Sequence, residues 1–78
     1  MTDFTNGKIP PNAVEFEKLV LGTCLIDSKG LKETLKVLKD NFEVFYDPRH
    51  KEIYRAISFL HAKNNPIDLM TVIMQLKK

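Results

Sequence analysis

The chain has 78 residues, 44% of them hydrophobic, enough for one core, although a chain this short buries a smaller share of its surface than a large domain. Its formal charge of +2, from 12 Lys and Arg against 10 Asp and Glu, argues against a phosphate backbone as the main partner, which calls for a stronger and clustered basic excess. The lone Cys24 excludes an internal disulfide, no apolar run approaches the roughly 18 residues of a membrane span, and Met1-Thr2-Asp3-Phe4 has no basic region ahead of an apolar stretch, so a cytoplasmic location is expected.

Periodicity favours helices throughout. Residues 1–11, with Asn6-Gly7 and Pro10-Pro11, read as a flexible arm that enters a helix only after the prolines. Asn12 is a good N-cap because its side-chain oxygen accepts an orphan amide of the first turn. Glu15, three residues on, completes a box-like arrangement and suits the positive helix end. The first helix then runs to about Ile26. Its second half, Leu19 to Ile26, carries no charge on any face, which predicts a central helix surrounded by others. Gly22 costs helix propensity and is expected to let a neighbouring helix come close. Asp27-Ser28-Lys29-Gly30 reads as a turn, followed by a short second helix with Leu31, Leu35 and Leu38 on one apolar stripe.

The segment from Asp40 to Tyr46 is less regular, but Phe42, Val44, Phe45 and Tyr46 are expected to be sheltered from water. Asp47 caps a third helix, with Pro48 at its first position, where a missing N–H is no loss. That helix should reach about Lys63 and bury Ile53, Ala56, Ile57 and Leu60 before Asn64-Asn65-Pro66 stops it. Asp68 caps a fourth helix expected to turn Leu69, Val72, Ile73 and Leu76 inward, with no stop signal before Lys78.

Few residues suggest chemistry. His50 and His61 lie eleven positions apart on the third helix, about 16 Å along its axis, too far for one ion held at about 2 Å from each ligand. Lys29, Lys32, Lys36 and Lys39 form a basic stripe that reads as a solvated face. Phe59 projects away from the Ile53, Ile57 and Leu60 face, so it either packs against a neighbouring segment or stands as an exposed anchor of the kind interfaces use. Carboxylates, Glu15, Glu17, Asp27, Asp47 and Asp68 among them, fall mostly at caps and polar faces. No pair of them sits with a nucleophile or base in an evident cleft. None of Gly7, Gly22 and Gly30 opens the G-x-x-x-x-G-K-[ST] loop that cradles a nucleotide.

Phe45-Tyr46-Asp47-Pro48-Arg49-His50, continuing through Ile53-Tyr54-Arg55-Ala56-Ile57 and then Pro66-Ile67-Asp68-Leu69-Met70-Thr71-Val72, resembles the N-terminal domain of the DnaB family of replicative DNA helicases. That family's pattern is an aromatic pair, a His, an Ile-aromatic-x-Ala-Ile helix, a polar turn and Pro-Ile-Asp-Leu-x-Thr-Val. Pro10-Pro11-Asn12-Ala13-Val14-Glu15 leading into Val20-Leu21-Gly22 is similar to the family's opening arm and first helix. The resemblance is collinear over residues 8–78.

The resemblance implies an all-α, compact small helical bundle. In the family this bundle continues into a long helical hairpin, so residues 12–78 are expected to be an incomplete helical domain behind the arm. It implies a collar domain of a hexameric helicase, with copies of itself and the primase C-terminal domain as partners and a helicase loader as a further candidate. ATP, Mg and DNA would belong to a separate motor domain, so no catalytic residue, cofactor or metal is assigned here. His50, the characteristic position, is expected to be structural, one turn before Tyr54, where its ring could anchor Phe45-Tyr46. Tyr54, Asp68 and Gly22 are assigned structural roles too, and Phe59 is the candidate partner contact. The alternatives are a DNA-binding helix-turn-helix made of the third and fourth helices, whose outer face Met70, Thr71, Met74 and Gln75 is thin in base-reading groups, and a free-standing replication adaptor.

Overall fold

The computed structural model describes residues 13–78, so the expected arm over 1–11 and the Asn12 cap lie outside the described residues. Four α-helices follow one another: α1 (Ala13–Ile26), α2 (Ser28–Leu38), α3 (Pro48–Ala62) and α4 (Leu69–Leu76), with a 3-10 turn at Phe42–Val44 between α2 and α3. The all-α class expected from periodicity is the class observed, and no strand occurs among the described residues.

The stop and start signals act through identifiable hydrogen bonds. Asp27, in extended backbone, accepts the Lys29 N–H through its side chain at 3.0 Å, so α2 begins at Ser28 and the turn expected over four residues shrinks to one. Asp47 likewise accepts the Arg49 N–H at 2.8 Å, with Pro48 at the first helical position. At the far end of α3, Asn64 has φ 59°, a left-handed conformation that Asn tolerates better than most residues. The Asn64 N–H then donates to the His61 carbonyl at 3.0 Å and the Asn65 N–H to the Leu60 carbonyl at 2.9 Å, the Schellman pattern that closes a helix end. Asp68 and Thr71 form a reciprocal capping box at the start of α4, each side chain satisfying one orphan amide.

α3 is the central helix. It buries His50, Tyr54, Ala56, Ile57 and Leu60, and it packs against α4, α1 and the 3-10 turn. Phe45 and Tyr54 stack with ring centroids 5.3 Å apart, tilted by 34°, a geometry favourable for aromatic pairs. The Tyr54 hydroxyl donates to the Lys39 carbonyl, which ties the end of α2 to the middle of α3. Lys39 itself has φ 55° and ψ −129°, a conformation that favours glycine. Leu31, Leu35 and Leu38 pack half-buried on this core, as the α2 stripe predicts, and the four lysines of the basic stripe are exposed.

Several expectations need correction. The charge-free half of α1 is not central: it buries only Leu21 and Cys24, and Leu19 and Ile26 are 70% and 87% exposed. The reason is that α1 meets α2 and α3 along one side only, whatever the chemistry of its other faces. A Cβ built on Gly22 meets nothing within 4 Å, so no described neighbour requires that glycine. The close approach is at Gly30, where a Cβ would collide with the Thr23 Cγ2 of α1. On α4 only Val72 is fully buried and Ile73 is half-buried, while Leu69 and Leu76 are exposed. Ile53 is half-buried rather than buried. Val44 and Tyr46 face water, leaving Phe45 and the half-buried Phe42 to close the junction, with the Arg55 guanidinium 5.4 Å from the centre of the Phe42 ring.

Candidate interaction surface

The densest polar cluster surrounds the carboxylate of Glu17 on α1. His50 Nδ1 lies 2.7 Å from Glu17 Oε1, with both side chains almost wholly buried. The Asp47 N–H donates to the same oxygen at 3.2 Å, and the Tyr46 N–H donates to Oε2. An ionised carboxylate can only accept, so His50 Nδ1 carries the proton in this bond. The amides are the last ones ahead of α3, where the aligned peptide dipoles of that helix favour a negative charge. Burial pushes the Glu17 carboxyl up, but the bonds from the Tyr46 amide, His50 and the Asp47 amide outweigh it and hold it below its ordinary range.

Next to it, the Arg49 guanidinium grips Asp47 through Nε at 3.1 Å and a terminal nitrogen at 2.7 Å. That grip, with the Arg49 amide, holds the Asp47 carboxyl well below the usual range. Burial raises the Tyr54 hydroxyl and the Cys24 thiol above their ordinary values, so neither is poised as a nucleophile.

His50 therefore sits where sequence places it, one turn before Tyr54, and its link to Phe45-Tyr46 runs through Glu17. Glu17 is the residue that sequence reasoning misses, because it reads there as one of the carboxylates of polar faces. Its place one helical turn before Val20 and Leu21, which pack on the core, is the available signal. The His50–Glu17 pair resembles a base with its orienting carboxylate, but the ring is buried and the carboxylate is saturated by amides, so nothing could be brought to it for proton transfer. Among the described residues no group of three or more His, Cys, Asp and Glu could hold a metal. His61 is exposed and far along α3.

Two apolar surfaces remain. The first centres on Phe59, which is 45% exposed with the Lys63 ammonium 5.5 Å from its ring centre. Phe59 lines two adjoining depressions against α4, one with Leu76 and Gln75 and the other with Thr71 and Met74, and Lys78 borders both. Met70, Met74 and Leu69 stand exposed on the same helix. The second is a groove of about 500 Å³ between α1, α2 and the 3-10 turn, lined by Phe16, Val20, Val37, Leu38, Val44 and Phe45. Exposed aromatic and methionine side chains of this kind are over-represented at contact surfaces.

Comparison with known proteins agrees with the fold. Residues 9–78 match the family described as the DnaB-like helicase N terminal domain. The chain is 43% identical over 72 residues to the replicative DNA helicase DnaB of Rhodothermus marinus, a match covering 92% of the chain and 7% of that protein. It is 36% identical over 76 residues to the replicative DNA helicase DnaC of Bacillus subtilis (strain 168), covering 97% of the chain and 16% of that protein. It is 36% identical over 67 residues to the DnaB of Nostoc sp. (strain PCC 7120 / SAG 25.82 / UTEX 2576), covering 86% of the chain and 7% of that protein. The chain thus spans only a small part of these relatives. No solved structure matches it.

Proposed function

The chain belongs to the DnaB-like helicase N-terminal domain family, and from that premise we propose that it acts by binding rather than by catalysis. It serves as a collar domain of a hexameric replicative helicase, where it contributes to assembly of the oligomer and to docking of the primase C-terminal domain, with a helicase loader as a further partner. The unwinding of DNA, with its ATP and Mg, is the work of a motor region, and the assembly operates in the cytoplasm.

The observation that carries this reading is the exposed apolar surface of Phe59 and Met74 across α3 and α4. An aromatic ring half out of water beside a flexible methionine provides contact area for a protein partner. The same surface weighs against the helix-turn-helix alternative. A recognition helix needs amide and basic side chains toward base edges, whereas α4 presents Leu69, Met70, Met74 and Leu76.

The test is a titration of the labelled chain with duplex DNA, single-stranded DNA and the cognate primase C-terminal domain at about 0.15 M salt, where phosphate attraction is damped. The expected outcome is a saturable response to the primase domain and none to micromolar DNA, with no nucleotide turnover above a buffer blank. Micromolar or tighter DNA binding without a primase response would reverse the assignment.

A further inference from the structure

α1 and α2 are joined at Asp27 and approach closely near that joint, where Gly30 has no room for a side chain beside Thr23. Toward Ala13 and Leu38 they leave between them a groove of about 500 Å³ that Val44 and Phe45 also line. Phe16, Val37 and Val44, one from each of its three sides, are 57%, 75% and 52% exposed. Apolar side chains gathered in one concavity, unlike those scattered singly over a surface, mark a place where something docks.

Charge narrows what docks. α2 carries Lys29, Lys32 and Lys36 against the single carboxylate of Glu33, a surplus of two that equals the net charge of the whole chain. Lys18, Arg49, Lys51 and Arg55, on α1 and α3, each meet a carboxylate. The three lysines of α2 meet none among the described residues. They stand at i, i+3 and i+7 on one face, beside Glu33 and Val37, which line the groove. Glu33 lies within one turn of Lys29 and Lys36, so this rim stays net basic. The other carboxylate in the lining, that of Glu17, is already taken by two amides and His50. The facing rim on α1 is apolar, with the exposed Leu19 one turn beyond Phe16.

We propose that the groove takes an amphipathic α-helix of another protein, its apolar stripe set against Phe16, Val37 and Val44 and an acidic flank against Lys29, Lys32 and Lys36. An extended peptide would need a sheet edge, and no strand occurs among the described residues; a polyproline segment would need aromatic walls, and these are mainly aliphatic. A helix lying between two diverging helices presents anchors at i, i+3 or i+4, and i+7 to both. A phosphate backbone would satisfy the lysines but leave the apolar walls in water. The groove shares no lining residue with the Phe59 surface, so this docking and the primase contact can fail separately.

Two synthetic helical peptides of about four turns, with the same leucines at i, i+4 and i+7 and either Glu or Lys at the flanking positions, test the proposal when titrated into the complete 78-residue chain labelled at amides and methyls. The Glu peptide should shift Val20, Val37 and Val44 saturably and bind several-fold more tightly than the Lys peptide. Its affinity should fall several-fold between about 0.05 and about 0.5 M salt. Lys29→Glu, Lys32→Glu and Lys36→Glu combined should reverse the preference, and Val37→Asp should abolish both responses. Melting temperatures should stay near the parent's, because all four side chains are exposed.

No saturable shift up to about 1 mM peptide, equal affinity for the two peptides, or shifts centred on Phe59 and α4 would overturn the proposal. So would groove shifts on diluting the chain alone, which would make a second copy the occupant, or groove contacts to the chain's own residues 1–11 that the Glu peptide does not displace. A single-stranded oligonucleotide that perturbs the groove methyls as strongly as the Glu peptide would overturn it too.

Discussion

α3 and α1 make opposite use of their side chains. α3 carries Arg49, Lys51, Glu52 and Arg55 in its first half, yet it supplies five of the buried residues, with Tyr54 and Ile57 wholly enclosed. α1 has a second half without a charge, yet it buries two residues and leaves Leu19 and Ile26 in water. The difference teaches that enclosure depends on how many elements surround a helix and not on how apolar the helix is. It also teaches that the polar tie of α1 to α3, through Glu17, does work that apolar packing does elsewhere, and that the apolar surface of α1 and α4 is left over for contacts outside the core.

The comparison can be broken most forcefully at its apolar extremes. Ile57→Ala should destabilise the domain by about 2–5 kcal/mol, a large part of the total for so small a fold, while Leu19→Ala should stay within about 0.5 kcal/mol. Denaturant midpoints of the two variants check this, and equal shifts would show that α1 is as central as α3.

The polar tie ranks second. Glu17→Ala removes the acceptor of one imidazole and two amides and should cost about 2–4 kcal/mol, and His50→Ala about 1–3 kcal/mol. Because both act on one bond, the double variant should fall short of the sum; additive losses in urea unfolding would mean the pair is not coupled.

The same cluster sets an acid limb. Folding holds the carboxyls of Glu17 and Asp47 below their ordinary range, so the folded state binds fewer protons than the unfolded chain. Their contribution is complete above the ordinary carboxylate range and is lost as pH falls through that range toward the folded values. Melting temperature should decline on acidification from about pH 5, less steeply in Glu17→Gln; identical profiles would remove Glu17 from the account.

The two helical glycines give the smallest and most pointed contrast. Gly22→Ala should stabilise by about 0.5–1 kcal/mol, since a Cβ there meets no described atom and Ala has the higher helix propensity. Gly30→Ala should gain nothing or lose stability, because the Thr23 Cγ2 must give way first. Thermal melts of the two variants moving in the same direction would contradict the α1–α2 approach.

Much of this fold was legible because its punctuation is local. Asp47-Pro48, Asn64-Asn65-Pro66 and Asp68-Leu69-Met70-Thr71 act through bonds within a few residues, and the helix limits they imply are close to those observed. What was illegible depends on contacts distant in sequence. That Glu17 turns inward is decided by the amides of Tyr46 and Asp47 and by His50, about thirty positions away. That Leu69 and Leu76 face out is decided by α4 having α3 as its main neighbour among the described elements. Phe59 stayed open between packing and exposure for the same reason, since helical projection shows which way a ring points and not what waits there.

The claim that apolar surface outside the core is contact surface is tested most directly by one variant read two ways. Phe59→Ala should leave the melting temperature of the chain nearly unchanged and weaken binding of the cognate primase domain by about 30-fold, the loss that matches a contact of about 2 kcal/mol. A melting temperature lowered by several degrees with undiminished primase affinity would place Phe59 in the fold and contradict the account.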